Sequence, residues 1–145
     1  MLTLRRAGDA DCLRVYLWRN RAEDRKWHFD QQPIRWYKHK AWWEDYTGTH
    51  YIAQHDGEFC GYVAIEPGEL GLEVDITVDV EFRGKGLGVD MLHSALAAHG
   101  AGVYIAYIKT DNAASRNIFI KAGFDEPTVT TRNGQDCYVC RRVTT

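Results

Sequence analysis

The chain has 145 residues and a mass of 16.6 kDa, which predicts a single domain over residues 1–145. Its 45% hydrophobic and 26% charged residues are typical of a soluble globular protein and exclude a wholly disordered chain, a collagen and a coiled coil. The net charge of −2 and the lack of a dominant basic stripe exclude a general nucleic-acid-binding protein. No apolar run approaches the ~20 residues of a membrane helix, and the first residues do not resemble a signal peptide, so we expect a cytoplasmic protein without a membrane partner.

In chain order, the hydrophobic patterns predict a strand, two helices, three strands, a helix, a strand, a helix and a terminal hairpin. The predicted strands cover 2–6, 51–55, 59–66, 72–80 and 103–109 with a hairpin over 128–143, and the predicted helices run from Asp9 to about Asn20, from Pro33 to about Tyr46, over 86–99 and over 113–122. Residues 21–33 are predicted as a loop with at most a helical turn. Asp56-Gly57 and Asn133-Gly134 are hairpin turn signals. The order predicts a mixed α/β fold, with about seven strands in one sheet and about four flanking helices.

The distribution of charge and the spacing of the cysteines indicate which kinds of ligand the chain could bind. Residues 49–100 contain nine Asp and Glu side chains but two Lys and Arg side chains, which suggests a cationic small substrate or, equally, a set of solvated carboxylates. Of the four cysteines, Cys137 and Cys140 lie three apart in a predicted strand and point to opposite faces, so they do not favour a shared metal. We expect four reduced thiols and no metal site.

The segment EFRGKGLGVDML (81–92) follows a strand and opens a helix. Three alternate glycines remove side chains at the turn, so that backbone N–H groups can converge on one concavity at the positive end of the helix. Arg83 and Lys85 add positive charge beside it. The spacing fits neither a P-loop nor a dinucleotide fingerprint. The segment predicts a phosphate-binding turn, with a tight turn that binds nothing as the alternative.

Two segments resemble motifs of the GNAT superfamily of N-acetyltransferases. RGKGLG (83–88) is similar to its R/Q-x-x-G-x-G/A acyl-CoA pyrophosphate loop. DNAASRNIFIKAGF (111–124) is similar to its next motif, an Asn after the fifth strand and a helix that ends in Gly-Phe. The predicted order of elements is also that of the superfamily, so the resemblance covers nearly the whole chain.

The resemblance implies acetyl-CoA as donor, CoA as product, and a primary amine that attacks directly in a ternary complex. It places the pyrophosphate on backbone N–H groups and the pantetheine arm beside a strand bulge, where a freed N–H could bind the thioester oxygen. The cofactor-binding residues that it implies are Ile76, Thr77, Val78, Arg83, Gly84, Lys85, Gly86, Leu87, Gly88, Asn112, Ser115 and Phe119.

Acetylation also needs a route for the proton of the amine, whose reference pKa is about 10.4 for a lysine-like group. Glu73 and Asp75 lie on the polar face of the strand before the glycine turn, where the superfamily often keeps a carboxylate base. We take Glu73 as the first candidate and Asp75 as the second, with ordinary exposed strand residues as the alternative. Phe119 stands where many members have a Tyr that acts as general acid. Either Tyr104, Tyr107 or water protonates the leaving thiolate, or the reaction uses no general acid.

All five tryptophans lie between positions 18 and 43, either to pack two helices or to stack on a sugar or nucleobase. LWRNRAEDRKWHFDQQPIRWYKHKAWW (17–43) resembles a GNAT subgroup that includes nucleotide-linked amino-sugar N-acetyltransferases, as in pseudaminic acid biosynthesis; ribosomal-protein N-terminal acetyltransferases share part of the pattern. This resemblance implies a nucleotide-linked (UDP) amino sugar as acceptor, and a homodimer is compatible with it. The substrate-binding residues that it implies are Arg19, Asn20, Arg25, Trp27, His39 and Trp43.

Two other functions stay open. A protein N-terminal or polyamine N-acetyltransferase would be favoured by an acidic groove without a nucleotide pocket. A non-catalytic acyl-CoA-binding module is the third hypothesis, because Phe119 cannot donate a proton.

Overall fold

Seven strands form one sheet in the computed structural model, which describes residues 1–145. The strands are β1 (Leu2–Arg6), β2 (Thr49–His55), β3 (Glu58–Pro67), β4 (Leu72–Val78), β5 (Gly102–Lys109), β6 (Thr128–Arg132) and β7 (Gln135–Thr144). The helices are α1 (Cys12–Arg19), α2 (Ala22–Arg25), α3 (Trp36–Asp45), α4 (Leu87–His99) and α5 (Ala113–Lys121). The predicted mixed α/β fold is confirmed. The helices number five because α2 is a single turn inside the segment predicted as a loop. No helix combines the length and apolarity that a bilayer span needs.

The sheet order is β1-β2-β3-β4-β5-β7-β6, and only the β4–β5 pair is parallel. α4 provides the crossover that a parallel connection needs. The pairing consists of Leu72 opposite Tyr104 and Glu73 opposite Ile105, and it goes no further. β4 and β5 therefore diverge after Glu73, which leaves the second half of β4 without a neighbour on that side.

This opening does not come from a bulge in β4, which corrects the expectation for residues 76–78. β4 keeps continuous register with β3 along its whole length. A register shift does occur between β2 and β3, at Ala53 and Gln54. The bulge thus lies one strand further from the opening than the resemblance implies, and the gap is produced by β5 turning away from β4.

Alternation along the strands divides the core into two layers, since successive side chains point to opposite faces. α4 and α5 cover one face, where the larger cluster includes Val63, Leu92 and Tyr104. α1 and α3 cover the other face. The buried side chains there are Val15, Trp18, Ile52, Tyr62 and Ala64, with Trp42 and Trp43 packed against them. Helix packing, one of the two alternatives for the tryptophan-rich segment, therefore accounts for three of the five tryptophans.

Asp79 ties α1, in the layer of α1 and α3, to the end of β4. Its Oδ1 accepts the Glu81 N–H at 3.0 Å and caps a 3₁₀ turn, so β4 ends at Val78 instead of residue 80. Its Oδ2 accepts from Trp18 Nε1 at 2.8 Å and from Arg21 at 3.0 Å. Burial opposes ionisation, but these donors hold the pKa of Asp79 below its usual value.

Gly61 allows β3 to pass close to its neighbours. A Cβ at this position would lie 2.1 Å from the Thr77 carbonyl oxygen and 2.8 Å from Met91 Cε. The backbone oxygen has little freedom to move, because β3 and β4 are hydrogen-bonded along their length.

We predict that Gly61→Ala lowers the free energy of unfolding by about 3 kcal/mol, the upper range for an overpacked core. Gly8→Ala is the control, because a Cβ at Gly8 meets nothing within 4 Å. Urea denaturation of the two variants measures the difference. Equal, small losses would contradict the close approach at Gly61.

Candidate active site

A groove of about 770 Å³ follows the gap between β4 and β5. The second half of β4 forms its floor. Its walls come from the turn before α4, from α5 and from the loop after α2. This position is where sheets of this type offer a crevice, at the carboxyl end of a parallel strand and the start of the crossover helix.

The glycines of the turn before α4 have separate structural reasons. Gly84 and Gly86 have φ values of 78° and 76°, in the left-handed region that side chains disfavour, and a Cβ on either would meet nothing within 4 Å. Gly88 is buried, and its Cβ would lie 2.7 Å from Ile118 Cδ1, so glycine here lets α4 approach α5. Gly86 is the N-cap of the 13-residue α4 without a capping side chain. The first N–H groups of α4 are therefore open to an anion in the groove.

Arg83 adds its positive charge to this turn but is also tethered. Its Nε donates to the Val78 carbonyl at 2.9 Å, and its Nη2 donates to Asp24 Oδ1 at 2.6 Å. Burial raises the pKa of Asp24, and Arg83 opposes that rise. Lys85 instead lies over the Phe82 ring at 5.3 Å and does not line the groove.

Backbone N–H groups of β4 face the gap. The Asp79 N–H donates to the Cys60 carbonyl on the β3 side at 2.7 Å. Because amide directions alternate along a strand, the N–H groups of Ile76 and Val78 point to the other side, toward β5. The Ile76 N–H donates to Asp75 Oδ1 at 3.0 Å. The splayed strands thus leave the Val78 N–H facing the gap without a bulge in β4.

Three carboxylates lie on the floor beside the gap. Glu66 on β3 stands directly opposite Glu73 on β4, and Asp75 follows on the same face. Glu73 accepts from Arg132 at 2.7 Å, and the Arg132 guanidinium also lies 4.0 Å from the centre of the Tyr107 ring. Burial, reinforced by the charge of Glu73, raises the pKa of Glu66.

Asp75 differs from Glu73 in its surroundings. It has no ion-pair partner, and its side chain is open to water within the groove. The groove walls still restrict hydration of the carboxylate, which raises the pKa of Asp75; the Ile76 N–H and the charge of Arg19 act against that rise. The two carboxylates predicted as candidate bases are therefore distinguished by their partners.

The loop after α2 covers the acceptor side of the groove. Trp27, His28 and Phe29 line it, together with Tyr46 at the end of α3. The Gln135 side chain donates to the Phe29 carbonyl at 2.7 Å. Burial lowers the pKa of His28 to about 4, so the ring is neutral near physiological pH. Aromatic walls over an acidic floor suit an organic cation.

The structure separates the predicted cofactor residues into two groups. Ten of the twelve line the groove, and Lys85 and Phe119 do not. Asn112 caps α5 by accepting the Ser115 N–H at 3.2 Å, so both residues are held at the groove wall. Phe119 is buried against Phe124, with ring centres 5.0 Å apart.

Of the predicted acceptor residues, only Trp27 lines the main groove. Arg19 stacks on Trp42 at 3.9 Å, and Asn20 Oδ1 accepts the Ile34 N–H at 2.8 Å. His39 is 1% exposed, and both of its ring nitrogens contact residues of α1, namely Arg19 and the Cys12 carbonyl. Its placement revises its role to a structural one, as does that of Trp43, which stacks on His50. Arg25 also lies outside the groove.

The candidate general acids are also separated. The Tyr104 hydroxyl donates to the Gly100 carbonyl, and the ring is fully buried outside the groove. This placement removes Tyr104 from the candidates. Tyr107 lines the groove beneath Arg132, so a tyrosine hydroxyl remains available there.

Sequence reasoning missed Glu66, Tyr46 and Arg132. Glu66 could have been found, because antiparallel pairing of two adjacent predicted strands places it opposite Glu73. Arg132 lies 59 residues beyond Glu73, and its contact depends on the order β5-β7-β6, which no local pattern reveals.

Comparison with known proteins identifies the family. The model of the acetyltransferase (GNAT) family matches residues 12–124. Mycothiol acetyltransferase of Nocardia farcinica (strain IFM 10152) is 32% identical over 79 residues, which are 53% of this chain and 26% of that protein. The aligned part thus spans about a quarter of that relative's length.

Solved structures share the fold. The aminoglycoside acetyltransferase AAC(6')-Ib in complex with coenzyme A superposes with a TM-score of 0.82 at 18% identity, over 99% of this chain and 95% of that one. The ribosomal-protein-alanine N-acetyltransferase from Brucella melitensis gives a TM-score of 0.75 at 20% identity, over 98% and 99% of the two chains.

We predict that Asp75→Asn stabilises the protein at neutral pH. A carboxyl whose pKa is raised by folding favours the folded state when it is protonated, and that contribution is lost as the pH rises through the raised value. The gain in the free energy of unfolding of Asp75→Asn over the wild type should therefore shrink at acidic pH. Urea denaturation at neutral pH and near pH 3 measures it, with the exposed Asp136→Asn as the control. A pH-independent difference would contradict the raised pKa.

Proposed function

Since the chain belongs to the acetyltransferase (GNAT) family, we propose that it is an acetyl-CoA-dependent N-acetyltransferase acting on a primary amine. The observation that supports this most directly is the placement of the left-handed glycine turn, the gap between β4 and β5 and an unpaired carboxylate along one groove. Each part suits one need of the reaction, namely an anion site, a channel with backbone donors and a proton acceptor.

The groove residues fit the cofactor. Gly84 and Gly86 lack side chains and face open space, so the N–H groups of the turn can bind a pyrophosphate. The Val78 N–H faces the gap, where it can hold an extended arm and polarise a carbonyl oxygen, while the Ile76 N–H beside it is bonded to Asp75. Bound acetyl-CoA supplies an acetyl thioester, whose acetyl group goes to the amine nitrogen with release of the free thiol.

Asp75 is the proposed base. Its carboxylate is open to water and free of any ion pair, so it can take the proton of the incoming ammonium directly or through a water. Its raised pKa brings it closer to that of a useful base. Glu73, our first candidate from the sequence, is engaged by Arg132 and is assigned to shaping the floor. Tyr107 or water protonates the departing thiolate.

The acceptor is proposed to be a cationic amine. Glu66, Glu73 and Asp75 form an acidic floor, and the residues that suggested a nucleotide-linked amino sugar lie mostly outside the groove. Within the main groove, this arrangement favours a cationic amino group, which a polyamine, an amino sugar or a peptide N-terminus supplies. A panel of these amines with a thiol-release assay discriminates between them, and CoA binding without release by any amine would indicate a non-catalytic module.

We predict that acetyl-CoA binds to the wild-type protein and that Gly86→Ala weakens this binding about tenfold, because a Cβ disfavours the left-handed turn and occupies the anion's space. Gly57→Ala is a matched control, since Gly57 has a φ of 85° and equally open space but lies far from the groove. Both should lose similar stability. Calorimetry measures the affinity, and failure of the wild type to take up acetyl-CoA would overturn the proposed function.

We predict that Asp75→Asn lowers kcat/KM by about 10²–10³ and removes the acidic limb of the pH–rate profile, as expected for loss of a general base. Glu73→Gln should keep that limb, since its carboxylate is held by Arg132. Acetyl-CoA affinity should be unchanged in both variants. Loss of the acidic limb in Glu73→Gln, with the limb kept in Asp75→Asn, would assign the general base to Glu73.

A further inference from the structure

A second cavity of about 500 Å³ lies beneath the loop that joins α2 to α3. Its charged or polar lining residues are Arg19, His28, Asp30, Gln32, Arg35 and Lys38. His28 also lines the main groove, so the two cavities adjoin at this side chain.

The three cations around this cavity have no carboxylate partner, unlike half of the twelve arginines of the chain. Ion pairs hold Arg5, Arg14, Arg21, Arg83, Arg116 and Arg132, whereas Arg19, Arg35 and Lys38 form none. The one carboxylate in the lining, Asp30, accepts the Gln32 N–H at 3.1 Å. Positive charge thus exceeds negative charge in a concave space, which raises the local concentration of anions.

Two contacts orient Arg19 in the lining of the second cavity. Its guanidinium stacks on Trp42 at 3.9 Å and contacts His39 Nδ1 at 3.0 Å. His39 Nε2 meets the Cys12 carbonyl at 2.8 Å, which makes Nε2 the protonated nitrogen and Nδ1 the acceptor. Both partners are neutral, so they orient the cation without neutralising it.

The two cavities share His28 in their linings, so the basic cavity adjoins the main groove at this residue. The charge of Arg19 opposes the rise in the pKa of Asp75, the proposed base, and adds to the lowering of the pKa of His28. One molecule can therefore extend from the acidic floor into the basic cavity.

We propose that the second cavity is an anion subsite for the acceptor, so that the amine acetylated beside Asp75 also has a carboxylate or phosphate group bound by Arg19, Arg35 and Lys38. This inference rests on the proposed acetyltransferase function and narrows its substrate class to amines that contain an anionic oxygen group. The acidic floor binds the ammonium end, and the basic cavity binds the other end, which fixes the direction of the acceptor.

The first test uses inorganic phosphate as the probe, with CoA present to occupy the glycine turn. Amide NMR signals of residues 28–38 should shift on titration. In Arg35→Gln/Lys38→Gln the dissociation constant should rise about tenfold, since two charged donors are lost. The control Lys40→Gln/Arg141→Gln removes the same charge from exposed positions outside both cavities and should stay within about twofold. No shifts at 28–38, or equal weakening in both double variants, would overturn the subsite.

This binding test is independent of catalysis. If CoA does not bind, the proposed function fails, while phosphate shifts at residues 28–38 still report on the second cavity. If CoA binds but phosphate causes no shifts at residues 28–38, the subsite is overturned and the proposed function stands.

The second test compares matched acceptors that differ in one anionic group, glucosamine with glucosamine 6-phosphate and putrescine with ornithine. We expect the anionic member of at least one pair to have a kcat/KM about tenfold or more above that of its counterpart without the anionic group. A preference in the glucosamine pair identifies phosphate as the bound group, and one in the putrescine pair identifies carboxylate. Arg35→Gln/Lys38→Gln should abolish this preference without changing the KM for acetyl-CoA. Equal use of both members, or a preference that survives in the variant, would overturn the proposal.

Discussion

The loss of pairing between β4 and β5 after Glu73 is the constraint on which the rest of the site depends. A ladder that continued would close the groove and satisfy the Val78 N–H within the sheet. Because the pairing stops, the second half of β4 is open to the groove close to the start of α4. The crossover geometry therefore brings an open helix N-terminus and a backbone donor of β4 into a single channel.

Within that channel, long-range partners give similar residues different roles. Glu73 and Asp75 are two residues apart on the same face of β4, yet only Glu73 is reached by Arg132 from the distant β6. The arginines also differ in role according to their partners. Arg83 belongs to the glycine turn and donates to Asp24, which links α2 to the anion-binding end of the groove. The chemistry of each charged side chain follows from which element faces it.

The strands, the helices and the glycine turn could be predicted because they depend on local periodicity and turn chemistry. The gap could not be derived from them, since it results from β5 turning away rather than from a bulge. The acceptor residues were the least predictable. The aromatic pattern around His39 and Trp43 fits either a ligand or a core, and only the docking of α3 on α1 shows that His39 is buried and that Trp43 packs against the buried cluster. Arg132 required knowledge of the strand order.

The covering loop is joined to the far side of the sheet by side-chain hydrogen bonds to its backbone, from Gln135 to the Phe29 carbonyl and from Lys109 to the Lys26 carbonyl. Bonds of this kind contribute about 1 kcal/mol each, far less than the free energy that holds a domain together. Neither bond belongs to the strand pairing, so breaking both would leave every strand of the sheet paired. The contact between this loop and the sheet therefore depends on one amide and one ammonium group that lie outside the buried core.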